Sequence, residues 1–206
     1  MTTIYLKRHS EPFRKLFGEY NSTDSDQLRN EKNILSAEGE RLALESSKID
    51  DLQHIDVLYT SNYVRAMSTA KYICENNQIK MNVEDDLGER KFGVDVKDLP
   101  EGYFKIQWQD YNFKCGNGES INDTSKRMFN CITNILNNNK DKTICIVSHG
   151  TAIMAYFLNY LDIVTDGEKF DLSFKGKKVF DGFLEVNELF KLEFDGNNLI
   201  NMELIK

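Results

Sequence analysis

Thr143-Ile-Cys-Ile-Val-Ser-His-Gly150 runs directly into Thr151-Ala-Ile-Met-Ala-Tyr156. Ile144 to Val147 is a short apolar run rich in β-branched residues, the pattern of a strand buried on both faces. Ala152 to Tyr160 reads as a helix. Ser148, His149 and Gly150 therefore occupy a strand-to-helix turn, the basic unit of an α/β fold with parallel strands. Thr3-Ile-Tyr-Leu-Lys7 has the same character and is followed by Arg8-His9. Open sheets of this class bind ligands beyond the carboxyl ends of their strands. If the two strands are parallel neighbours, His9 and His149 emerge at one edge.

The pattern continues on both sides. Ile55 to Thr60 reads as a strand and about Tyr63 to Glu75 as a helix, with Ala66, Thr69, Ala70 and Ile73 on one face. Met81-Asn-Val83 is a brief strand. Leu35 to Leu44 reads as a helix with Ser36 as its N-cap. Ser120 to Asn138 reads as a helix with a stripe of Met128, Phe129, Ile132, Ile135 and Leu136. Leu189 to Phe194 and Leu199 to Ile205 flank Asp195-Gly-Asn-Asn198, the pattern of a β-hairpin. The predicted architecture is a mostly parallel central sheet with helices on both faces and antiparallel strands at the C-terminal end. Residues 1–206 read as one domain, and Lys175-Gly-Lys-Lys178 as a solvated loop. Residues 93–118 are rich in aromatics without clean periodicity.

The chain carries a net charge of −7 over 206 residues, which argues against a broad nucleic-acid surface. No apolar run approaches membrane-spanning length and no secretory signal opens the chain, so a cytoplasmic location is expected. Cys74, Cys115, Cys131 and Cys145 form no metal-binding spacing and read as free thiols.

Arg8 beside His9, and a helix start behind His149, favour an anion over a metal ion. Arg65, in the first turn of its helix after Thr60-Ser61, can reach the same edge. These residues point to a phosphate site.

Six segments resemble, in order, those of the histidine phosphatase superfamily, the phosphoglycerate-mutase-like proteins. They are Arg8-His9; Leu35-Ser-Ala-Glu-Gly39; Tyr59-Thr-Ser-Asn-Tyr-Val-Arg-Ala-Met-Ser-Thr-Ala70; Leu87-Gly-Glu-Arg-Lys-Phe-Gly93; Gly118-Glu-Ser120; and Val147-Ser-His-Gly150. The resemblance implies that His9 is a nucleophile forming a phosphohistidine. It implies that Arg8, Arg65, His149 and the Gly150 turn bind the phosphoryl oxygens, and that Glu89 is the general acid and base. No cofactor or metal is implied, and segment 93–118 takes the place of a small variable cap.

Ser10 departs from the family's glycine, and its hydroxyl is a candidate phosphate contact. Arg14 and Arg90 are further substrate-binding candidates, and Glu119 is a candidate for orienting an arginine. Glu89-Arg90 is mutase-like, whereas Pro12 and Lys15 replace residues that touch substrate in the mutase branch. The leading expectation is a metal-independent phosphomonoesterase acting on a small phosphate ester. A phosphoglycerate mutase is the alternative, and an inactive phospholigand-binding protein a third reading. The expected partner is a small molecule rather than nucleic acid or membrane, and a dimer of the chain is left open.

Overall fold

The computed structural model describes residues 1–13 and 24–205. Among these residues the strands form two sheets. The larger contains β1 (Thr2–Arg8), β2 (Val57–Thr60), β3 (Met81–Val83), β4 (Thr143–Ser148), β8 (Leu189–Asp195) and β9 (Asn198–Ile205), in the order β3-β2-β4-β1-β8-β9. The first four run parallel, and β8 and β9 are antiparallel. This is the expected α/β architecture, including the C-terminal hairpin.

Alternation along the central strands explains why helices cover both faces. Ile4, Leu6, Ile144 and Ile146 enter one apolar cluster with α5 (Ile121–Asn138) and α6 (Gly150–Phe157). Tyr5, Cys145 and Val147 point the other way, into a cluster with α3 (Val64–Asn77). Successive side chains of a strand face opposite sides, so each central strand must be apolar throughout. The α5 helix is started by a reciprocal capping box between Ser120 and Asp123 and buries Met128, Ile132, Ile135 and Leu136. Helices α1 (Asp26–Lys32) and α2 (Ala37–Ser46) pack against α3. Ser36 caps α2 by accepting from the Gly39 amide at 2.8 Å. Gly39 itself is required, because a Cβ there would stand 2.0 Å from the Glu11 carbonyl oxygen.

Two parts of the chain differ from the sequence reading. Segment 93–118 contains a two-turn helix, α4 (Tyr103–Gln109), too short to show a hydrophobic period. Asp162 to Gly182 forms a three-stranded antiparallel sheet of β5 (Asp162–Thr165), β6 (Phe170–Phe174) and β7 (Lys177–Gly182). Lys175-Gly-Lys-Lys178 is therefore the β6–β7 hairpin and not a loop. Lys175 and Gly176, at φ 50° and 78°, supply the two left-handed residues that the tightest hairpin turns require. No described helix is long and apolar enough to cross a membrane. All four cysteines are free, and burial pushes the thiols of Cys131 and Cys145 up to about 12.

Candidate active site

Parallel pairing of β1 with β4 sets Arg8 opposite Ser148. The next residues, His9 and His149, consequently leave the sheet side by side, with ring centroids 5.0 Å apart. The first turn of α3 lifts Arg65 between them. Its Nε donates to His9 Nε2 at 3.0 Å, and its Nη2 to His149 Nδ1 at 3.1 Å. Its Nη1 donates to the Asn30 carbonyl at 2.6 Å, which ties α1 to the site.

A guanidinium can only donate, so these contacts fix both tautomers. His9 Nε2 holds a lone pair, and its Nδ1–H donates to the Ser10 carbonyl at 2.6 Å. His149 accepts at Nδ1, so its Nε2–H donates to Ser61 Oγ at 2.7 Å. Each ring is held by a backbone carbonyl or hydroxyl on one side and by Arg65 on the other.

Arg8 reaches the same edge from β1. Its Nη1 donates to the Leu184 carbonyl, while its buried Nε has no partner among the described residues. The guanidinium lies over Gly150 and borders a cavity of about 210 Å³ that it shares with Glu89, Gly150 and Thr151. Glu89 Oε1 accepts from the Arg90 and Ala152 amides at 2.8 and 3.1 Å, and Oε2 from the Thr151 amide at 3.2 Å. Two first-turn amides of α6, those of Thr151 and Ala152, are thus taken by Glu89. The carboxylate is thereby fixed at the mouth of the cavity beside Arg8.

Burial, followed by the Arg65 charge, pulls both imidazoles well below their ordinary value of 6.5. The rings are therefore neutral at neutral pH. Below about pH 6.5 the unfolded chain binds protons at both histidines that the folded chain refuses. Stability should fall with pH there, the slope approaching about 1.4 kcal/mol per pH unit for each ring. Urea unfolding of wild type and His9→Asn between pH 7 and 5 checks this. The variant should lose one ring's share of the slope, and identical slopes would refute the assignment.

A protein-family model described as histidine phosphatase superfamily (branch 1) matches residues 4–173. The chain belongs to the histidine phosphatase superfamily. The chain is 28% identical over 155 residues to the uncharacterized phosphatase PhoE of Bacillus subtilis, covering 75% of each chain. It is 26% identical over 176 residues to a 2,3-bisphosphoglycerate-dependent phosphoglycerate mutase of Bartonella tribocorum, covering 76% of this chain and 80% of that one. Its fold matches a mycobacterial glucosyl-3-phosphoglycerate phosphatase complexed with VO3, with a TM-score of 0.70 at 16% identity, covering 98% and 96% of the two chains.

The remaining candidates fall outside the cluster. Ser10 is fully buried, and its hydroxyl donates to the Gly39 carbonyl at 2.7 Å and accepts from Asn187 Nδ2 at 2.9 Å. It holds the loop that carries His9 and does not face the cavity. Arg90 is likewise withdrawn: it is 2% exposed, its guanidinium caged by the rings of Phe92, Tyr103 and Phe104 at 4.8, 4.9 and 5.5 Å. Arg14 and Lys15 lie outside the described residues. Glu119 does orient an arginine, but it is Arg127, whose Nε and Nη2 contact the carboxylate at 2.7 and 2.9 Å. Arg127 also donates to the Asp86 and Gly88 carbonyls at 2.6 and 3.2 Å, which steadies the loop bearing Glu89.

Asn187 escaped the sequence reading. Held at φ 62°, it donates its amide to the His9 carbonyl at 3.3 Å and its side chain to Ser10. Its own carbonyl accepts from Lys7 Nζ at 2.8 Å, a buried ammonium that desolvation lowers to about 8. Nothing local in the sequence marks a partner 177 residues from Ser10.

Proposed function

We infer that this histidine phosphatase is a phosphomonoesterase that works through a phosphohistidine at His9 and needs no metal. The observation that carries the reading is the Arg65 guanidinium, bonded at once to His9 Nε2 and His149 Nδ1 beside an Arg8 Nε that has no partner among the described residues. A phosphoryl group carries charge on three outer oxygens during transfer, and fixed donors stabilise that charge. As the ester enters, the Arg65 donors turn from the ring nitrogens to those oxygens.

Nε2 of His9 attacks phosphorus in line with the ester oxygen. The N–P bond forms, the P–O bond breaks, and its electron pair goes to the alcohol oxygen. Glu89, which enters this step as the protonated acid, gives that oxygen its proton and is left as a carboxylate. The carboxylate then takes a proton from water, whose oxygen attacks phosphorus; the new O–P bond forms, the N–P bond breaks with its electron pair returning to His9 Nε2, and inorganic phosphate leaves. The Nδ1–H bond to the Ser10 carbonyl stabilises the charge that the ring carries as phosphohistidine.

The Bartonella relative favours a second reading, in which the phosphoryl group returns to another hydroxyl of the substrate. Steady release of phosphate from an aryl phosphate, undiminished by chelator, is the expected result. Isomerisation of 3-phosphoglycerate that depends on a bisphosphate primer, without net release, would establish the mutase instead.

A further inference from the structure

Tyr63 touches two residues of the site, yet the resemblance in sequence attaches no role to it. It is the N-cap residue of α3, two positions before Arg65, and it is buried. Its ring meets the His149 ring edge-to-face, with centroids 4.5 Å apart and planes at 61°. The same ring carries the Arg65 guanidinium, whose Cζ lies 4.9 Å from its centroid. The hydroxyl ties the ring to two further elements. It accepts from Gln27 Nε2 of α1 at 2.8 Å and makes a long contact of 3.4 Å to the Glu89 carbonyl.

The ring is closely seated. A Cβ on Gly88 would stand 3.1 Å from Tyr63 Cε1, so the missing side chain makes room for it. Ser61 Oγ fixes the start of the helix by accepting from the Tyr63 amide at 3.3 Å and from His149 Nε2–H at 2.7 Å. This seating matters when an ester enters. The Arg65 bonds to His9 Nε2 and His149 Nδ1 must then be given up, so that the donors can reach phosphoryl oxygens. Two contacts need not change: the bond from Nη1 to the Asn30 carbonyl and the face of Tyr63. An arginine side chain has many rotamers, and one carbonyl alone would leave it free to tilt. A cation over an aromatic face in a desolvated site is held by the ring's own charge distribution.

We propose that Tyr63 is a positioning residue of the reaction: its ring is the fixed support on which Arg65 and His149 stay aligned while the Arg65 donors pass from the imidazoles to the phosphoryl group. This rests on the phosphomonoesterase reading and adds a residue to it. The support is the aromatic face, since the ring makes the contacts to His149 and Arg65. The hydroxyl serves to seat it, and burial pushes the phenol up to about 12, so it stays neutral at working pH. Leucine at this position would fill part of the space but offer no face to a cation. The guanidinium would then lean away from the imidazoles, and its charge would hold them neutral less firmly.

Rate, proton affinity and folding, read on wild type, Tyr63→Phe and Tyr63→Leu, test it. Tyr63→Phe keeps the face and should stay close to wild type in kcat/KM for 4-nitrophenyl phosphate. Tyr63→Leu should lose about thirtyfold, the fold-change that a desolvated cation–π contact carries. Its acid limb should move to higher pH, although the positive charge of Arg65 is still present. Histidine-selective nitrogen NMR should show His9 and His149 taking up protons at higher pH in the leucine variant and not in the phenylalanine variant. Tyr63→Met, a flexible filler without a ring, should give the same readings and stands in if Tyr63→Leu does not fold. A leucine or methionine variant with wild-type rate and acid limb overturns the proposal. So does one that loses rate and unfolding midpoint while its limb and imidazole titrations stay at wild-type values, the pattern of a ring that only fills the core. Equal losses in Tyr63→Phe and Tyr63→Leu overturn it as well, because the hydroxyl and not the face would then be what matters. Each of these results leaves the phosphomonoesterase standing. No turnover by wild type, together with imidazole titrations that move in Tyr63→Leu and not in Tyr63→Phe, overturns the phosphomonoesterase and leaves the support of Arg65 and His149 standing.

Discussion

His9→Ala should reduce phosphate-ester turnover by about 10⁵–10⁶-fold in kcat, the scale of losing a covalent nucleophile. It should also abolish the covalent phosphoryl label that a wild-type quench traps, a label stable in alkali and released by acid. The nearest other imidazole lone pair, His149 Nδ1, accepts from Arg65 Nη2 at 3.1 Å, and Arg65 and Arg8 are donors only. The loss should be one of chemistry and not of folding, because β1 is fixed by backbone pairing to β4 and β8 on either side. Circular dichroism and an unchanged unfolding midpoint at neutral pH check that point. Removing the ring also removes a desolvated imidazole, so the variant should keep its fold at pH 5.5 at least as well as wild type. Retained label in a folded His9→Ala would move the nucleophile elsewhere.

The parts of this site that were readable beforehand lie where strand ends meet short range. The apolar runs ending at Lys7 and Val147 place His9 and His149, because parallel pairing of two buried strands leaves little choice of edge. Arg65 follows from the same logic one strand over. What could not be read depends on contacts made across the fold. Ser10 and Arg90 are chemically suited to phosphate, yet one hydroxyl is taken by Gly39 and Asn187, and one guanidinium by three rings. The helix start behind His149 looks available until Glu89, some 60 residues earlier, is folded against it. The β5–β7 sheet was missed because its strands are short and only partly buried, leaving a weak alternation. A net charge of −7 read alone argues against an anionic substrate, yet the chain concentrates Arg8 and Arg65 at one edge, and local placement sets the sign of a cleft.

Arg65→Ala should cost about 10²–10³-fold in kcat/KM, by analogy with removing one fixed donor from a developing oxyanion. It should also do something that a purely structural arginine would not. The Arg65 charge is, after burial, the main cause of the low proton affinity of His9 and His149. With the charge gone, the imidazolium form is less disfavoured and both pKa values rise. His9 must be neutral to attack, so the acid limb of the kcat/KM–pH profile should move to higher pH in Arg65→Ala. Arg65→Lys separates the two effects. It keeps a positive charge near the rings but loses the planar fork that reaches His9 Nε2, His149 Nδ1 and the Asn30 carbonyl together. The lysine variant should therefore lose rate while holding its acid limb near that of wild type. If both variants keep the wild-type limb, the charge of Arg65 does not govern His9. If both shift equally, a positive charge at this position does not by itself set the limb, and the hold on the rings comes from the hydrogen bonds of the fork.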